Sequence, residues 1–211
     1  MDDVLRTMEQ ERLVAVIRTE TADQAVGAGL AAHEGGVQLL EVAWTVPEAG
    51  RALSALRERL PEALLGAGTI ITLEDAREAA AAGARFIVGP SVQEDVIAFC
   101  RQEGILVAPG ALTPTEVVRA HLLGADIIKI FPAGQVGGPA YIKALRGPLP
   151  HLRFMPTGGV NPGNVAAYLA AGAFAVGAGG DLIDRRAAAE GRFGVITEKA
   201  RAFVDAVAGA R

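Results

Sequence analysis

The residue in this chain best suited to covalent chemistry is Lys129, in the run Asp126-Ile127-Ile128-Lys129-Ile130-Phe131-Pro132. β-Prone and aromatic residues surround the lysine, and Pro132 followed by Ala133-Gly134 stops the run, so the segment reads as a buried strand. Strand alternation puts Ile127, Lys129 and Phe131 on one face and Ile128 and Ile130 on the other. Only two other lysines occur, Lys143 and Lys199, in a chain that otherwise takes arginine for its cations. Arginine cannot give up its proton or form an imine, whereas a lysine in an apolar site can lose its charge and attack a carbonyl. The bland alternative is a lysine that snorkels to the sheet edge. Burying an unpaired ammonium is costly, which speaks for a chemical role.

A second candidate is Glu41, in Val37-Gln38-Leu39-Leu40-Glu41-Val42-Ala43. If Lys129 points inward, Glu41 can do so with Leu39 and Ala43, leaving Leu40 and Val42 on the opposite face. An amine and a carboxylate in one apolar interior suit Schiff-base chemistry: the amine attacks a carbonyl, and a second group shuttles protons through carbinolamine, imine and enamine. The alternative is a buried Glu41–Lys129 ion pair with a structural role only, which adds little net stability after desolvation.

Both residues belong to a regular alternation of strands and helices. A short helix over about Asp2 to Glu11 precedes the first strand, Leu13 to Arg18. Seven further strand patterns follow, at Val37–Ala43, Leu64–Thr69, Arg85–Pro90, Ile105–Gly110, Asp126–Pro132, Arg153–Thr157 and Ala173–Gly177. Thr21, Thr72 (with Asp75 as a capping box) and Thr113-Pro114-Thr115-Glu116 read as helix starts, Pro47 and Asn161-Pro162 as two more, and Gly35-Gly36, Gly83, Gly124 and Gly172 as helix ends. A last helix runs from about Phe193 to Val207. Eight such pairs predict an α/β chain whose parallel sheet closes into a (β/α)8 TIM barrel, one domain over residues 1–211 with a short N-terminal helix. An open doubly wound sheet is the alternative, but no glycine-rich dinucleotide fingerprint follows the first strand.

In a barrel the C-terminal strand ends face one mouth, where chemistry is found. That mouth would collect Arg18, Glu41, Thr69, Pro90-Ser91, Pro109-Gly110, Lys129, Thr157-Gly158-Gly159 and Gly179-Gly180. The glycine pairs follow strands seven and eight, where the fold commonly binds phosphate with bare backbone N–H groups.

The 211 residues are 51% hydrophobic and carry a formal charge of −4, enough for one substantial core and unsuited to nucleic acid. Cys100 is the only cysteine, which fits a reducing cytoplasm. The acidic N-terminus does not read as a signal peptide, and no apolar run is long enough for a membrane span. His33, His121 and His151 lack metal-ligand spacing, so no zinc site of the usual kind is expected.

Leu40-Glu41-Val42, Gly66-Ala67-Gly68-Thr69, Ile128-Lys129-Ile130-Phe131-Pro132 and Phe154-Met155-Pro156-Thr157-Gly158-Gly159-Val160, in that order, resemble the family of 2-dehydro-3-deoxy-phosphogluconate (KDPG) and 4-hydroxy-2-oxoglutarate (KHG) aldolases. The resemblance runs from about Leu13 to the last helix. It implies a metal-independent class I aldolase that splits a 2-keto acid into pyruvate and glyceraldehyde 3-phosphate or glyoxylate, with no cofactor beyond the lysine imine. It also implies that Lys129 forms the Schiff base, Glu41 is the general acid/base, and Thr69, with Arg18, holds the pyruvate carboxylate. Thr157 would lie near the reacting group, and backbone around Gly158, Gly159, Gly179 and Gly180 would receive the phosphate. A cytoplasmic homotrimer is the implied state.

Two positions depart from the KDPG-cleaving pattern. Thr45 stands where those members have an arginine, and Gly180-Asp181-Leu182 where they have Gly-Ser-Trp. Both features resemble the phosphogalactonate-cleaving relatives and the bifunctional group, so that substrate is an alternative. A phosphate-binding barrel isomerase or synthase would share the glycine pairs without needing an imine-forming lysine. A catalytically silent barrel would need none of Glu41, Thr69 and Lys129.

Overall fold

The computed structural model describes residues 2–210. Its central strands are β1 (Leu13–Ile17), β2 (Leu39–Ala43), β3 (Leu64–Gly68), β4 (Phe86–Val88), β5 (Leu106–Ala108), β6 (Gly110–Ala111), β7 (Ile128–Ile130), β8 (Phe154–Pro156) and β9 (Val176–Ala178). All pair in parallel, in a six-stranded sheet of order β5-β4-β3-β2-β1-β9 and a three-stranded sheet of order β6-β7-β8.

The expected fifth strand is thus two. Pro109 has no N–H to give a ladder, and the chain changes partner there, from β4 on one side to β7 on the other. Its carbonyl still accepts from Lys129 N–H at 3.0 Å, which keeps the two sheets in touch. At the other junction a parallel bridge joins Thr157 to Gly177, and Phe174 N–H donates to the Phe154 carbonyl at 2.8 Å.

Alternation sorts the side chains into two cores. The inner one is made by Val14, Leu39, Phe86, Val88, Leu106, Ala108, Ile127, Met155 and Ala175, from strands and strand entries of both sheets. Helix α1 (Asp2–Glu11) closes its lower end with Val4 and Met8, which lie one turn apart on one helix face. The outer core holds the opposite strand faces, among them Leu40, Val42, Ile128 and Ile130, against the helices.

Those helices are α2 (Ala22–Glu34), α3 (Ala49–Arg59), α4 (Leu73–Ala81), α5 (Glu94–Glu103), α6 (Pro114–Leu122), α7 (Pro139–Arg146), α8 (Val165–Ala170), α9 (Arg185–Ala189) and α10 (Phe193–Ala208). Thr21, Thr72 and Thr113 cap α2, α4 and α6 through their hydroxyls, and at Thr113 the bond is reciprocated by Glu116. Several boundaries differ from the sequence expectation; most strands are shorter by one or two residues at an end, as β2 and β7 are. Helix α3 begins two residues after Pro47. Helix α8 begins at Val165 rather than Asn161, because Asn161 Oδ1 accepts from Gly163 N–H (3.0 Å) and Asn164 Oδ1 from Asn161 N–H (2.9 Å), which holds the intervening residues in a turn. The eighth expected strand forms as β9, three residues later than read. Helix α9 was not foreseen; Asp184 caps it by accepting from Ala187 N–H at 2.9 Å. Among the described residues no helix is long and apolar enough to cross a membrane.

Candidate active site

The C-terminal strand ends surround a cavity of about 390 Å³ lined by both polar and apolar groups. Arg18, Thr69, Lys129, Thr157, Gly158, Gly159, Gly179 and Gly180 all line it, so eight of the nine residues given a chemical role from the sequence meet there; of the other residues expected at this mouth, Pro90 lines the cavity and Ser91, Pro109 and Gly110 do not. Glu41, the ninth, lies underneath: it is 1% exposed and does not reach the wall.

Lys129 comes from the middle of β7, and its 5% exposure is what the cavity gives it. On one side its strand neighbour is Gly110, which has no side chain to cover the amine, and on the other Met155. The Nζ sits 5.3 Å from the centre of the Phe131 ring, on the same strand face. Burial holds the lysine below the usual amine range, Glu41 pulls it back up, and Arg18 pushes it down again. Glu41 is displaced in the opposite sense: burial raises its carboxyl above the usual range, and Lys129 and Arg18 lower it in part. Its Oε1 has no hydrogen-bond partner among the described residues. A carboxyl pushed toward holding its proton and an amine pushed toward losing one are thus within electrostatic reach of each other.

The space for Glu41 comes from glycine. In the β2–β3 register Glu41 lies beside Gly66, whose missing side chain is filled by the Phe86 ring, and the carboxylate leans over Gly68. Thr157 has the same support, since a Cβ on Gly177 would come within 2.4 Å of its Oγ1.

Thr69 follows β3 directly with φ at +62°, a left-handed conformation that a β-branched residue rarely adopts. Its hydroxyl accepts from Arg18 Nη2 at 3.0 Å, a bond that ties the arginine across the end of β2. One wall of the cavity therefore offers a guanidinium and a hydroxyl.

Another part of the lining is backbone. The carbonyls of Thr157 and Gly158 accept from Ala133 and Gly134 N–H groups (both 2.9 Å), that of Gly159 accepts from Asn164 Nδ2 (2.8 Å), and that of Gly179 from Leu182 and Ile183 N–H groups. The N–H groups of Gly159, Gly179 and Gly180 donate to no protein acceptor among the described residues. With carbonyls engaged and N–H groups open, this wall can receive an anion. Asp181 and Arg185 also line the cavity. Arg185 was missed from sequence; its only signal is Asp184 just before it, the cap of a helix too short to show periodicity. Thr45, the other departure from the KDPG-cleaving pattern, is not among the lining residues. Among the described residues no three His, Cys, Asp or Glu side chains gather to hold a metal ion.

Comparison with known proteins gives the family. Residues 4–198 match the family described as KDPG and KHG aldolase. The chain is 35% identical over 197 residues to the 2-dehydro-3-deoxy-phosphogluconate aldolase of Treponema pallidum (strain Nichols), covering 93% of this chain and 94% of that one. It is 34% identical over 193 residues to the KHG/KDPG aldolase of Escherichia coli (strain K12), covering 92% and 91%. Among solved structures, the KDPG aldolase of Legionella pneumophila, with pyruvate captured as a covalent carbinolamine intermediate, superposes with a TM-score of 0.86 at 30% identity over 94% of this chain and 97% of that one. With a matching family profile over most of its length and relatives above 30% identity, the chain belongs to the KDPG and KHG aldolase family.

Proposed function

We propose that the protein is a class I aldolase that cleaves KDPG, KHG or both to pyruvate and an aldehyde, glyceraldehyde 3-phosphate or glyoxylate. The observation that carries the reading is Lys129: a buried amine, kept below its ordinary pKa by burial, facing a cavity with Glu41 beneath it. The unprotonated amine attacks the C2 carbonyl of the keto acid, and Glu41 supplies the proton with which the carbinolamine oxygen leaves as water. The resulting iminium accepts the electron pair of the C3–C4 bond as it breaks, and Glu41, now a carboxylate, takes the proton of the C4 hydroxyl. The aldehyde departs, Glu41 hands that proton to C3 of the enamine to regenerate the iminium, and water releases pyruvate from the lysine. No external cofactor or metal is needed for these steps, because the iminium is the electron sink.

Arg18 and Thr69 are assigned to the substrate carboxylate, Thr157 to the reacting centre, and the backbone at Gly158, Gly159, Gly179 and Gly180 to the distal anion. The bond between Arg18 and Thr69 and the open N–H groups support that division.

Residues 1–211 are read as one domain, a closed (β/α)8 barrel. The Pro109 carbonyl bond, the Thr157–Gly177 bridge and an inner core shared by both sheets support closure. A cytoplasmic homotrimer is proposed on the family resemblance alone.

The test is peptide mass spectrometry after incubation with pyruvate and sodium borohydride. A reduced pyruvyl adduct on Lys129, absent in Lys129→Ala, supports the mechanism. With no adduct on any lysine, the class I reading falls, and a phosphate-binding isomerase or synthase takes its place.

A further inference from the structure

We propose that Arg185 is a specificity-determining residue that selects acceptor aldehydes carrying a distal dianion, and that Asp181 opposes it. The inference rests on the aldolase reading and refines it to a substrate class.

Arg185 is the first residue of α9, and its place is set from behind. Asp184 caps the helix through Ala187 N–H and is itself held by Lys199 Nζ at 2.8 Å. The neighbouring cations are paired, Arg186 and Arg192 with Glu190 and Lys199 with Asp184, all facing away from the cavity lining. The Arg185 side chain has no ion pair or hydrogen bond among the described residues, and it lines the cavity with Gly179 and Gly180. Arg18, by contrast, is tied to Thr69 at the end of β3, whereas Arg185 follows β9 on the other side of β1.

The glycines beside Arg185 point the same way. A Cβ on Gly179 or Gly180 would meet nothing within 4 Å, and neither residue has a positive φ. Nothing in the fold itself requires glycine there. The open space lies over N–H groups without acceptors, where a bulky anion would approach. Asp181 shares this wall and forms no ion pair with Arg185 or any other cation among the described residues. Its charge raises the energy of an incoming dianion, more for a phosphate than for a singly charged or neutral end. Arg185 offsets that repulsion and offers the fork geometry that phosphate oxygens accept.

The test compares wild type, Arg185→Gln, Arg185→Lys and Asp181→Asn in the condensation direction. Pyruvate is paired with glyceraldehyde 3-phosphate or with unphosphorylated glyceraldehyde, and the readout is the ratio of the two kcat/KM values. Arg185→Gln is expected to lower the ratio about tenfold to a hundredfold, chiefly through KM for the phosphorylated aldehyde. Arg185→Lys should recover part of it, and Asp181→Asn should raise it a few-fold. A ratio within about twofold of wild type in Arg185→Gln, or a fall in Asp181→Asn, overturns the proposal. Inorganic phosphate binding, followed by calorimetry on the same proteins, should weaken in Arg185→Gln and reads Arg185 without turnover. Borohydride trapping of wild type with pyruvate is run alongside: its failure removes the aldolase reading, while the phosphate affinities still decide the role of Arg185.

Discussion

The Glu41 carboxylate occupies the space that a side chain on Gly68 would need: a Cβ built there lies 1.8 Å from Glu41 Oε1. Gly68 has an ordinary extended backbone, so glycine is required for its emptiness and not for its dihedral angles. Gly68→Ala is therefore expected to push the carboxylate off its position while leaving Lys129 in place. Adduct formation with pyruvate should persist, while exchange of pyruvate methyl protons with deuterium slows about tenfold to a hundredfold. Stability should fall by about 1–3 kcal/mol, as for an overpacked core. Unchanged exchange in a folded variant would exclude Glu41 from the proton path.

Three charges act on one another around the amine, and their signs can be separated by pH. Lys129 reacts only when unprotonated, so imine formation rises as pH climbs through its pKa, which burial and Arg18 lower and Glu41 raises. Removing the neighbouring cation in Arg18→Gln should move the profile to higher pH and slow the reaction at neutrality. Removing the anion in Glu41→Gln should move it to lower pH. Borohydride trapping of acetaldehyde measures this, since that carbonyl has no carboxylate for Arg18 to hold. Displacement of both profiles in the same direction would contradict the arrangement.

The parity of the central strands was legible from sequence because alternation is a local property. Leu40 and Val42 go to the helices and Leu39 inward, as do Ile127 just before β7 and Lys129 within it. Strand-end counting also brought Arg18, Thr69, Thr157 and the glycine pairs to one cavity. What sequence could not carry is lateral register. That Gly68 makes room for Glu41, or Gly177 for Thr157, depends on which residues of neighbouring strands stand side by side. Arg185 was hidden for another reason: α9 is five residues long, too short for a periodic pattern, so its first side chain had no predicted direction.

Thr69 sets local strain against an anchoring contact. At φ +62° a β-branched residue costs on the order of 1–3 kcal/mol. Its hydroxyl holds Arg18 across the cavity wall. Thr69→Gly should relieve the strain and raise stability in urea by about 1 kcal/mol, while KM for pyruvate rises several-fold as Arg18 loses its anchor. A variant both less stable and unaltered in KM would show that the conformation carries neither strain nor function.

Far from the cavity, one arrangement recurs at alternate βα units. Arg57 of α3, Arg101 of α5 and Arg146 of α7 each lie over the glycine that follows the next helix: Gly83, Gly124 and Gly172. These glycines have φ values of +101°, +96° and +92°, and a Cβ on them would come within 2.4, 2.6 and 2.2 Å of the guanidinium. Arg101 and Arg146 also donate to the carbonyls of Gly124 and Gly172, at 3.0 and 2.8 Å, which satisfies a backbone group at each helix end. Glycine is needed twice at each place, for its dihedral angle and for the close approach of the arginine. Gly124→Ala should therefore cost about 1–3 kcal/mol, and Arg101→Ala about 1 kcal/mol through the lost bond. Because both groups belong to one contact, the double variant should lose less than the sum of the two. Urea unfolding measures all three, and strictly additive losses would show that the arginine and the glycine act independently. Neither variant should alter the pH profile of adduct formation on Lys129, since neither residue lines the cavity.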